Sequence, residues 1–242
     1  MFPKKENVQQ ALDTEFFERM SYPDILARNS VSKESYLKHY KNGIQEFTSE
    51  EQKILEKHVL KINKLCIPFQ RFLRIPWNFV KFQCCDIEQG YPHTLGKFIF
   101  LPANFFTSNT DTKQRETIIH EKIHIYQRIF TLQTNLLIIK FWNYQLFDLK
   151  SKIPLIRNNP DTNNILYERN GSVVYQKYKS YTPSSLQDSY LDASLFNTTD
   201  KVVENHEHPY EKMAYNIADI INNNNINGED YIETMQWMKQ YF

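Results

Sequence analysis

The stretch from Glu116 to Phe130 restricts the fold more than any other part of this chain. On a helical wheel Glu116, His120, His124 and Gln127 fall on one polar stripe. Ile119, Ile123, Tyr126 and Phe130 flank it, and Ile118, Ile125 and Ile129 lie towards the back. A helix apolar nearly all round is buried, and polar groups buried with it need partners. The chain must therefore fold around this helix and complete its polar stripe from elsewhere.

Within that stretch His120-Glu121-Lys122-Ile123-His124 reads H-E-x-x-H. Residues i and i+4 of a helix stand one above the other, so both imidazoles can reach a single metal ion. Glu121 leaves the helix about 100° further round, where it can meet a water molecule as a general base. A metal and a third ligand would satisfy the stripe.

Composition narrows the setting. The chain has 242 residues with 41% hydrophobic content, enough for a core. A net charge of +1 and no basic stripe argue against nucleic acid as a partner. Three cysteines, Cys66 and the pair Cys84-Cys85, have neither C-x-x-C nor zinc-finger spacing. They read as free buried thiols in a reducing compartment. The first residues, Met1-Phe2-Pro3-Lys4-Lys5, carry no apolar signal-peptide core. The longest apolar stretch, Leu136 to Phe147, is too short to span a bilayer. A soluble, cytoplasmic protein without membrane association is expected.

Residues 1–66 read as a helical N-terminal region packed on a core domain of residues 67–242. Ser32 opens a helix stopped at Asn42-Gly43, and Thr48 with Glu51 forms a capping box for a longer one. His39 and His58 read as solvent-facing or satisfied, and nothing here has the residue types of a catalytic site. Trp77–Phe82 alternates as a strand, Gly90–Gly96 is a turn carrying His93 close to the cleft, and Lys97–Leu101 is a short apolar strand closed by Pro102. Asp111 and Gln114 are expected to cap the central helix, and a second helix is expected from Thr134 to Leu149. Asn170-Gly171 between Ile165-Leu166-Tyr167 and Val173-Val174-Tyr175 signals a β-hairpin, followed by a loop around Pro183. The fold class expected is α+β.

The H-E-x-x-H helix preceded by a short strand resembles the zincin metallopeptidases. That resemblance implies one Zn2+ ion, a small sheet whose edge strand near 97–101 binds an extended peptide, and Glu121 as general base. Gln127 and Phe130 stand where the H-E-x-x-H-x-x-G-x-x-H grouping has Gly and His, and no G-T-x-D segment follows. The remaining pattern, that of gluzincins, takes a Glu from a later helix. His208-Pro209-Tyr210-Glu211-Lys212-Met213-Ala214-Tyr215 is similar to it, with Pro209 suited to a first helical turn and Ala214 and Ala218 allowing close approach of two helices. The resemblance thus implies His120, His124 and Glu211 as metal ligands, with His208, His206, Glu207 and Glu204 as alternatives for the third. Asp219 or Asn216 would orient a ligand. The two segments together also resemble uncharacterised H-E-x-x-H proteins of large DNA viruses, which implies no substrate.

The expected function is a zinc metallopeptidase acting on a peptide or protein. A non-catalytic zincin-fold binding protein is the alternative. The oxyanion of such a reaction needs a donor besides the metal. Tyr210 and Tyr215 are the leading choices, and Tyr175, Tyr167, His208 and Arg157 remain open.

Overall fold

The computed structural model describes residues 1–12, 14–83, 87–147, 154–163, 165–195, 206, 208–222 and 228–242. The chain begins with four helices, α1 (Lys5–Gln10), α2 (Glu15–Arg19), α3 (Tyr22–Ala27) and α4 (Lys33–Asn42). A short strand β1 (Ile44–Gln45) leads to α5 (Ser49–Leu65) and α6 (Gln70–Arg74), then strands β2 (Phe79–Phe82), β3 (His93–Leu95) and β4 (Phe98–Pro102). Helices α7 (Phe105–Ser108), α8 (Asp111–Ile129) and α9 (Thr131–Asn135) follow, then strands β5 (Gln145–Phe147), β6 (Leu166–Arg169), β7 (Ser172–Tyr178) and β8 (Ser189–Leu195). Helices α10 (Pro209–Ile221) and α11 (Glu229–Tyr241) complete the chain. The class is α+β, as the sequence indicates.

The first sheet has the order β1-β2-β4-β3, with β2 and β4 parallel and the outer pairs antiparallel. Its two faces are both covered. Phe98 and Phe100 of β4, with Val80 and Phe82 of β2, pack against Phe16, Phe17, Tyr36 and Tyr40 of the N-terminal helices. Ile99, Leu101 and Phe79 face the other way, into a larger core with Leu55 and Ile62 of α5, the isoleucines of α8, and Met213 and Ile217 of α10. The period-2 alternation of strand side chains divides these residues between two layers. Segment 1–66 is divided in the same way: α1–α4 lie on one face, α5 lies on the other, and β1 joins the sheet.

The capping box of Thr48 with Glu51 forms as read, and the helix opened by Ser32 has one as well, with Ser35. Other expectations need correction. Strand β4 is not an edge, because it lies between β2 and β3. The edge strands are β1 and β3, the latter inside the segment read as a turn; Gly96, at a φ of 55°, turns the chain tightly from β3 into β4. The cap of α8 is Thr110, which accepts from the Lys113 amide. Gln114 is buried instead against His58, 3.0 Å away, so His58 is satisfied, not solvent-facing. Ile129 is 54% exposed and does not join the core. The helix expected to run to Leu149 gives way to a π-helical turn at Leu136–Phe141, and Asn143 at a φ of 56° redirects the chain into β5. Leu149 itself lies outside the described residues, as do Cys84 and Cys85; Cys66 is buried.

The second sheet, β5-β6-β7-β8, is antiparallel throughout. Its centre is the expected hairpin, with Asn170 and Gly171 both at positive φ as a two-residue turn requires. Strand β8 had no alternating apolar signal, and it forms by pairing along the whole of β7. No described helix is long and apolar enough to cross a membrane.

Candidate metal centre

Helix α10 packs directly along α8, with Ala214 and Ala218 buried between larger residues. This brings three donor atoms together. His120 Nε2 and His124 Nε2 are 3.0 Å apart, and Glu211 Oε2 lies 3.3 Å from the first and 3.7 Å from the second. Ligands placed tetrahedrally at about 2.1 Å from a zinc ion stand about 3.4 Å from one another. The observed triangle has that size, so the residues present fit a metal of this kind.

The protonation pattern agrees. Gln127 donates through Nε2 to the Tyr210 carbonyl at 2.8 Å, so its Oε1 is the atom 2.9 Å from His124 Nδ1. An amide oxygen only accepts, so His124 carries its proton on Nδ1 and turns a bare Nε2 to the centre. Burial pulls the His124 pKa down to about 3 and keeps the ring neutral. Burial acts the other way on Glu211, but His124, His120 and the Asn159 amide hold its carboxyl well below the usual range. Asn159 Nδ2 donates to Glu211 Oε1 at 2.9 Å.

Glu121 is 4% exposed, and its Oε2 has no hydrogen-bond partner among the described residues. Burial, then the neighbouring carboxylates of Asp161 and Glu211, push its pKa well above the ordinary value. Asp161 is raised in the same way, by burial and then Glu211. Arg128 is the cation that acts on both. Three carboxyl groups crowded around two imidazoles form an environment suited to a divalent cation.

These groups open onto a cavity of about 760 Å3, lined by His120, Glu121 and Glu211 together with His93, Arg157 and Tyr215. That volume is in the range of small-ligand sites. The Tyr215 ring lies 4.4 Å from that of His120, and His206 stacks on Tyr215 at 5.0 Å. His93 is fully buried on β3 rather than in a turn, bonded to the Tyr40 hydroxyl.

Several expected residues point elsewhere. His208 caps α10, accepting from the Tyr210 amide, and its Nε2 contacts Asn163 and Ile165, so it is not a ligand. The Tyr210 hydroxyl bonds to Tyr167 and Asn163, outside the cavity, and its contribution to the site is the carbonyl that orients Gln127. Tyr175 lies beside Asp192, and Asn216 turns to Thr234. Glu204 and Glu207 lie outside the described residues. Asp219 lines the cavity, but the amide that orients Glu211 belongs to Asn159.

Sequence reasoning passed over Asn159, Asp161 and Arg128. The N-terminal layer, judged to be without site residues, supplies Arg28 to the cavity wall. Arg28 makes two bonds to Glu88 at 2.6 and 2.8 Å and donates to the Asn158 carbonyl at 3.0 Å. Asn158 in turn donates its amide to Asp24. This buried network ties α3 to the loop that carries Asn159 and Asp161. Compared with known protein families, curated proteins and solved structures, the chain matches none of them significantly.

Proposed function

We propose that this protein is a zinc-dependent hydrolase of amide bonds, a peptidase of the H-E-x-x-H type. His120, His124 and Glu211 are its ligands and Glu121 its general base. The observation that carries this reading is the convergence of three donors from two helices, at tetrahedral spacing, beside a buried carboxylate that has an uncommitted oxygen. Two imidazoles and one carboxylate are a donor set that suits zinc. When bound, the ion would polarise the scissile carbonyl and lower the pKa of a coordinated water towards about 7.

The protein's own groups do the rest. Glu121 takes the proton from the attacking water and hands it to the leaving amine. Gln127 and Asn159 hold His124 and Glu211 in place, as partners of metal ligands commonly do. Tyr215 and Arg157, which line the cavity, are the donors we assign to the oxyanion.

The test is metal content and peptide cleavage of the purified protein, wild type against His120→Ala. One zinc per wild-type chain, its loss in the variant, and cleavage by wild type alone are expected. Zinc binding with no cleavage across a broad peptide library would leave a binding protein in place of the peptidase. Absence of any bound divalent metal in wild type would overturn both.

A further inference from the structure

The Asn159 amide that meets Glu211 is itself aimed from elsewhere. Its Oδ1 accepts from the Asp161 amide at 2.8 Å, which leaves Nδ2 to face Glu211 Oε1 at 2.9 Å. Asp161 in turn is held by strand β3. The Thr94 amide donates to Asp161 Oδ1 at 2.7 Å, and the Thr94 hydroxyl donates to the same oxygen at 2.6 Å. That hydroxyl accepts from Arg128 Nη1 at 2.7 Å. The other terminal nitrogen of Arg128, Nη2, donates to the Pro160 carbonyl at 2.8 Å and to the Thr94 carbonyl at 3.3 Å. Arg128 thus grips β3 and the loop at once.

Arg128 follows His124 by one turn of α8, so it leaves the helix from nearly the face that carries both histidines. The bonds close a circuit. They run from α8 through Arg128, Thr94, Asp161 and Asn159 to Glu211, whose other oxygen lies 3.3 Å from His120 Nε2, back on α8. Residues 157–163 form no helix or strand, so side-chain bonds to neighbouring elements fix where Asn159 stands. Asn158 ties the loop to Asp24, whereas the Asp161 end is bonded to the Asn159 side chain itself.

We infer, resting on the zinc-site reading above, that Arg128 is a positioning residue of the metal centre, setting Glu211 through Thr94, Asp161 and Asn159. Helix α8 then supplies two ligands directly and aims the third from one turn further on. The guanidinium's shape matters as well as its charge. A lysine keeps the charge but offers one nitrogen where Arg128 uses two in a rigid fork. A role confined to fold stability would instead lower the melting temperature and leave the metal site of the folded protein as it is.

Zinc affinity of the full chain is measured by chelator competition for wild type, Arg128→Lys, Asn159→Ala and the double variant. The visible spectrum of each cobalt(II)-substituted form reports the ligand geometry. Arg128→Lys is expected to bind zinc about 10-fold more weakly than wild type and to shift the cobalt bands as Asn159→Ala does. Because both residues act along one path, the double variant should bind within about twofold of Asn159→Ala alone. Unchanged affinity in Arg128→Lys, or losses that multiply in the double variant, would overturn the inference and leave the hydrolase reading standing. Wild type that binds neither zinc nor cobalt(II) overturns both. Should Arg128→Lys fail to fold, Thr94→Val, which removes the hydroxyl between Arg128 and Asp161, takes its place in the same cycle with the same outcomes.

Discussion

Asn159 donates to the Glu211 oxygen that does not face the histidines. The third donor is therefore positioned by a loop as well as by its own helix. Removing such a partner of a metal ligand typically weakens binding about 10- to 100-fold. Asn159→Ala is expected to keep its fold and lose zinc affinity by that factor, read by competition with a chromogenic chelator. An unchanged affinity would show that α10 alone orients Glu211.

Glu121→Gln keeps the volume of the side chain and removes the base. Because Glu121 stands beside the three donors and is not one of them, the variant should retain zinc and melt like wild type. Its rate on a peptide that wild type cleaves should fall by about 10²- to 10⁴-fold. Zinc content by elemental analysis and single-turnover kinetics are the measurements; loss of the metal would place Glu121 among the ligands.

Lys122 is fully buried, with its Nζ 3.7 Å from the Trp77 ring centroid and 4.4 Å from that of Phe72, and without a hydrogen-bond partner among the described residues. Burial pulls its pKa down to about 7, whereas in the unfolded chain it stays near about 10.4. Between those values the unfolded chain binds the proton that the folded chain has released, so stability rises with pH across this window. At about 1.4 kcal/mol per unit the shift costs on the order of 5 kcal/mol below pH 7, of which the two ring contacts offset about 2. Lys122→Met is expected to gain about 3 kcal/mol at pH 6 and to flatten the rise between pH 7 and 10. Urea unfolding across that range reads both effects, and an unchanged slope would mean that the ammonium is not desolvated.

Glu88→Gln would leave the Arg28 guanidinium, now doubly bonded to Glu88, short of its main counter-charge. Breaking a buried pair by removing one partner costs about 3–5 kcal/mol, a melting temperature lower by roughly 10 °C for a chain of this size. Calorimetry on the variant checks it. A shift within about 1 °C would mean that Asp24 and the Asn158 carbonyl suffice to hold the cation, the pair adding little beyond the cost of its own burial.

The parts of the site that were legible in the sequence are those that helical spacing carries. His120 and His124 share a face because they are four residues apart, and the apolar residues around them announce burial. Glu211 was reached through the resemblance to gluzincins, which pointed to a later helix with Pro209 at its start and alanines where α10 meets α8. Nothing periodic marks Asn159, Asp161 or Arg128. The first two sit in a polar loop whose shape depends on Asp24 and Arg28, more than a hundred residues earlier, and Arg128 finds its partners both on that loop and on β3. The strand order was hidden for a similar reason. A three-residue strand such as His93–Leu95 has too little alternation to be seen, and only its pairing with β4 makes it an edge. Where periodicity was followed too far, beyond Phe141, an asparagine able to adopt a left-handed backbone ended the helix.

Arg28 also joins parts of the chain that are far apart in sequence. Its partners Glu88 and Asn158 lie 60 and 130 positions along the chain. A guanidinium gives up its water only once such partners are in place, and contacts so distant in sequence are slow to form. Sealing of that wall is therefore expected as a late step, after α8 has formed. Pulse-labelled refolding should find the Asn158 amide protected after those of α8. A nascent chain that ends before Asn158 carries the helix of His120 and His124 but not a finished site.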